Sequence, residues 1–107
     1  MTAMADLIRE FCKGSETDYE VYENYTKSWT TPIGEETVTT IGIVVKQGRS
    51  PMDALAQLTG FLEAKEVFDE RLLELEGAAI DDLGPDAVVY FPAIQDYHPM
   101  QERGVKT

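Results

Sequence analysis

The sequence predicts an α+β domain, with helices packed on one face of a small, mainly antiparallel sheet of about three strands. Hydrophobic periodicity runs from 3.6 to 2, returns to 3.6 and gives way to a short continuous apolar run, which orders the elements as helix, two strands, long helix, strand. At 107 residues the chain suits one domain with one core. Hydrophobic residues make up 43% and charged residues 27%, a balance that folds rather than remaining a disordered acidic tail. The expected domain covers residues 1–99, and residues 100–107 read as a mobile tail.

Met4, Leu7, Ile8 and Phe11 recur at i, i+3, i+4 and i+7, one apolar stripe on a helix over residues 3–13. Gly14 is expected to stop it in the left-handed conformation. Over residues 17–26 the period becomes two: Tyr19, Val21 and Tyr25 share one face, and Asp18, Glu20, Tyr22 and Asn24 the other. A second strand over residues 37–46 sets Ile41, Ile43 and Val45 on one side. Residues 27–36, with Pro32 and Gly34, read as a long, exposed hairpin connection.

Ser50 is positioned to cap a helix whose first residue is Pro51, and Asp53 in its first turn suits the helix dipole. The apolar arc from Ala54 through Leu58, Leu62 and Phe68 to Leu75 predicts one long helix, or two end to end with a break near Gly60 or Glu63. Gly77 ends it. Residues 87–91 are apolar on both faces, as in a central or covered strand.

Twenty Asp and Glu against nine Lys and Arg give a net charge of −11. Such a field disfavours direct binding of nucleic acid or of an anionic membrane surface. The excess is concentrated: residues 14–36 sum to −5 and residues 63–86 to −7, while the other segments are near neutral. On a continuous helix Glu63, Glu66, Glu70 and Glu74 form one stripe roughly 16 Å long, a carboxylate about every 5 Å. The like-charged i,i+4 pairs Glu66–Glu70 and Glu70–Glu74 each cost an isolated helix about 0.2–0.5 kcal/mol. Asp81, Asp82 and Asp86 extend the negative run into what reads as a loop. The stripe is either a solvated face or a surface that engages a basic partner, and the uneven distribution of charge favours the partner.

In the first acidic block Tyr22 shares its strand face with Glu20, Glu23 lies beside it, and Trp29 falls in the expected loop. Aromatics beside charges have the composition of interaction hot spots, so these four join the acids as candidate partner-binding residues. Tyr19 and Tyr25 read as core.

Catalytic constellations are weak. A dyad of Cys12 and His98 needs an exposed thiol, yet Cys12 lies beside an apolar helix stripe. With one cysteine and one histidine there is no disulfide framework and no zinc site built from such ligands. No carboxylate pair, calcium loop or phosphate-binding glycine pattern stands out, so neither an enzyme nor a cofactor is expected.

The expectation is a non-enzymatic, acidic interaction protein that docks on a basic protein or nucleoprotein complex, and inhibits it by mimicking nucleic acid. In size and charge alone it is similar to phage-encoded inhibitors of restriction and CRISPR defence. A homo-oligomeric assembly protein whose charge serves solubility is the alternative, and a small carboxylate enzyme ranks last. The first ten residues lack a signal-peptide apolar region and the longest apolar run is eight residues, so a cytoplasmic location is expected.

Overall fold

A computed structural model of the chain describes residues 3–14, 18–67, 69–94 and 97. The first helix, α1 (Met4–Lys13), buries the predicted stripe of Met4, Leu7, Ile8 and Phe11. Gly14 closes it with φ −80°, so the stop is a right-handed turn and not the expected left-handed cap. Strands β1 (Tyr19–Thr31) and β2 (Gly34–Val45) pair antiparallel down to Thr31 opposite Gly34, with one register shift between Tyr22 and Tyr25. The expected ten-residue connection is therefore strand on both sides of a tight turn at Pro32 and Ile33. Thr and Ser pairs extend the ladder through this region: Thr26 meets Thr39 at 3.1 Å, and Ser28 meets Thr37 at 2.8 Å.

Helix α2 (Pro51–Ala64) starts as expected, with Ser50 Oγ accepting from the Asp53 N–H. It ends earlier than the apolar arc suggested. Glu66 takes φ +62°, after which a 3-10 segment, Asp69–Leu75, runs to the turn at Gly77. Phe68, His98 and the expected tail from residue 100 lie outside the described residues.

A short hairpin follows, β3 (Ala79–Leu83) and β4 (Asp86–Tyr90), turning at Gly84 and Pro85. Among the described residues the sheet has four strands in the order β1-β2-β4-β3, all neighbours antiparallel. The fourth strand was missed because Asp81 and Asp82 interrupt its apolar alternation. β4 is an inner strand, as its two apolar faces require.

Both helices lie on the same side of this sheet. Leu58 and Leu62 of α2, with Ile8 and Phe11 of α1, join Ile41, Ile43, Val89 and Phe91 in one buried cluster. Phe11 anchors it, stacked on Tyr19 and edge-on to Phe61 at 5.6 Å each. The opposite face of the sheet has no helix over it among the described residues. Because β4 reaches only Gly42, the outer part of the β1–β2 hairpin continues as a two-stranded ribbon. From the Thr26–Thr39 pair to the Thr31–Gly34 pair it extends about 17 Å.

Candidate protein-docking surface

A bulge in β1 decides which side chains face away from the helices. Tyr22 is opposite Gly42 and Tyr25 opposite Thr40, so Glu23 and Asn24 share the space of one partner residue. Asn24 takes φ +59°, a left-handed conformation that asparagine tolerates better than most residues. The extra residue reverses the alternation: Tyr25, expected in the core beside Val21, lies with Tyr22 on the uncovered face.

Glu23 is turned toward α1. Arg9 donates to it through Nε at 2.6 Å and through a terminal guanidinium nitrogen at 3.0 Å, and the Tyr97 hydroxyl donates at 2.6 Å. That hydroxyl also accepts from the Asn24 N–H at 2.8 Å. The Glu23 carboxylate holds the Arg9 guanidinium pKa above its ordinary value. Glu23 thus ties α1 and Tyr97 to the bulge, and its carboxylate is engaged within the chain.

Three tyrosines close over Gly42, the residue that lies between Tyr22 and Tyr90 in the register. The rings of Tyr22 and Tyr25 are perpendicular at 5.1 Å, and Tyr25 meets Tyr90 at 4.8 Å. A Cβ on Gly42 would fall 2.9 Å from Val88 Cγ2 and 3.2 Å from the Val89 carbonyl oxygen, so glycine is required for this close approach. Across that gap the Tyr25 hydroxyl donates to Asp81 on β3, at the far edge of the sheet. Lys27 Nζ donates to the same carboxylate oxygen at 2.8 Å.

This clasp explains three shifts. Lys27 first, then Tyr25, hold the Asp81 carboxyl below the usual carboxylate range. Burial first, then Asp81, push the Tyr25 phenol above its usual value. Asp81 also raises the Lys27 ammonium pKa. Lys27 is bent onto the sheet and its charge is matched there.

Farther out on the ribbon Trp29 lies opposite Glu36 on the same uncovered face, and the indole is 44% exposed. Tyr22 is 36% exposed, and Glu20 beyond it pairs with Lys46 at 3.2 Å. Asp86 accepts from the Gln47 N–H at 2.9 Å. Glu20, Tyr22, Trp29, Asp81 and Asp86 therefore share one sheet face, as their registers require. The sequence reading missed Tyr25, Lys27, Glu36, Gly42 and Tyr90, which complete it.

The remaining predicted acids do not join them. Glu63 is in the last turn of α2, Glu66 in the break, and Glu70 and Glu74 in the 3-10 segment. At about three residues per turn, positions four apart there are rotated by roughly a third of a turn, so no straight stripe of carboxylates forms. Glu74 lies 3.7 Å from Arg71. Asp82 points to the opposite face of β3 from Asp81, and neither is in a loop. Among the described residues Glu35, Glu36, Glu63, Glu66, Glu70, Glu76 and Asp82 have no ion pair.

A groove of about 640 Å³ between α1 and β1 is lined by Arg9, Cys12, Lys13, Tyr19, Glu20 and Val21. Burial pushes the Cys12 thiol up to about 12, so at neutral pH it is a protonated thiol and a poor nucleophile. Protein-family models, curated proteins and solved structures contain no match to this chain. No helix of the described residues is long and apolar enough to cross a membrane.

Proposed function

We propose that the chain is a non-enzymatic, cytoplasmic interaction module that docks on a basic protein partner through the uncovered face of its sheet. The observation that carries this reading is the pairing of exposed Trp29 and Tyr22 with carboxylates on a face that no helix covers among the described residues. Exposed aromatics supply contact area that is released from water on docking, and the surrounding acids select a positive partner and speed its approach. Nucleic-acid-binding proteins belong to this partner class because their surfaces are basic. Mimicry of a phosphate backbone draws less support than a sheet-face contact, because the break after Ala64 removes the regular carboxylate spacing.

The test is affinity capture on the immobilised full chain, eluted with a salt gradient. Three variants run in parallel: Tyr22→Ala with Trp29→Ala; Glu63→Gln with Glu66→Gln and Glu70→Gln; and Met52→Ala, an exposed apolar residue on α2. Retention of basic proteins that is lost only with the first variant supports the reading. No retention, or retention lost only with the glutamate variant, overturns it.

A further inference from the structure

The outer edge of β1 narrows the partner's chemistry, on the premise that the uncovered face is the docking surface. No strand pairs with that edge among the described residues, although β1 is thirteen residues long. Natural sheets blunt such edges with lysines, prolines or bulges. Here the bulge lies at Glu23 and Asn24, which leaves residues 25–31 regular. The one lysine of that stretch, Lys27, is bent across the sheet onto Asp81 instead of guarding the edge.

We infer that residues 25–31 accept an extended, arginine-bearing segment of a protein partner as an added strand, with an arginine laid across Trp29 toward Glu36. A residue paired opposite Trp29 on an added strand has its side chain on the same face, about 5 Å away at Cβ. A guanidinium there covers the exposed indole, and the carboxylate of Glu36, the neighbour of Trp29 on β2, lies beyond it. Arginine suits this bracket better than lysine because its planar cation stacks on an aromatic face while its fork meets a carboxylate. Among the described residues Glu36 has no ion pair, and Lys27, the nearest cation on that face along β1, is matched by Asp81. A second copy of the chain fits poorly, since it brings the same net charge of −11 to the ribbon.

The experiment titrates the full chain with a labelled synthetic peptide of alternating Arg and Thr, its Lys counterpart, and an Arg peptide N-methylated at alternate residues to block strand pairing. Trp29 is the only tryptophan, so its emission reports contact at this site while peptide anisotropy reports binding. The Arg peptide is expected to shift the emission and to bind about tenfold more tightly than the Lys peptide. The N-methylated peptide and the Glu36→Gln variant should each lose about that factor, and Glu66→Gln with Glu70→Gln should lose little. Equal binding of Arg and Lys peptides, full binding of the N-methylated peptide, or an unshifted Trp29 overturns the inference. Capture that depends on Trp29 and Tyr22 while the Arg peptide fails rejects the arginine segment and leaves the basic-partner reading standing. Capture that fails rejects that reading. Concentration-dependent dimerisation through the ribbon in the absence of peptide also overturns the inference.

Discussion

The two faces of the sheet divide stability from recognition. On the covered face Ile41, Ile43 and Val89 pack beneath two helices and are fully buried. On the other face the tyrosines and Val88 cover themselves near Gly42, and the exposed aromatics begin where β4 ends. Apolar burial needs only matching volume, whereas the uncovered face depends on a bulge, a glycine and one three-way polar contact. The covered face should therefore dominate the folding energy and the uncovered face should tolerate change at Trp29, and four substitutions test that division.

The largest effect is expected from Leu58→Ala. Leu58 is completely buried in α2, and its truncation should cost about 2–5 kcal/mol in urea unfolding. A cost below about 1 kcal/mol would mean that the helical layer is loosely packed. Gly42→Ala should come next, at about 1–3 kcal/mol, because the added methyl meets Val88 and the Val89 carbonyl. If the division is right, this variant should also disturb the Tyr25–Asp81 contact, visible as a phenol that titrates nearer its ordinary range.

Asp81→Asn is expected to have a smaller effect that depends on pH. The folded state holds the Asp81 carboxyl below its ordinary range, so its contribution is complete above the unfolded value of about 3.9 and fades as pH falls through the lowered one. Thermal unfolding followed from neutral to acid pH should show a stability gap between wild type and variant that closes at the acid end. A gap of constant size would place the contribution of Asp81 elsewhere than in its charge. The smallest change is expected for Trp29→Ala, within about 0.5 kcal/mol of wild type, because Trp29 lies at the surface of the ribbon and outside the buried cluster.

The covered face was legible in the sequence because period alone assigns it. The stripe of α1, the Ser50–Pro51 start of α2 and the alternation of Ile41, Ile43 and Val45 all appear where the spacing put them. The uncovered face was not, since one inserted residue at Glu23 and Asn24 reverses every later side chain of β1. The only local hint is Asn24, a residue type suited to a positive φ. The helix break carried a clearer signal. The like-charged pairs Glu66–Glu70 and Glu70–Glu74 disfavour a continuous helix, and the structure ends α2 before them. Asp81 was picked out for its charge alone, and its contacts to Tyr25 and Lys27, more than fifty residues away, lay beyond any local pattern.

Amide hydrogen exchange of the full chain, free and saturated with the Arg and Thr peptide, tests the docking surface most directly. Slowed exchange confined to residues 25–31 and their partners in β2 is the predicted result. An unchanged ribbon, with new protection instead between Glu63 and Glu76, would contradict the assignment of the uncovered sheet face as the docking surface.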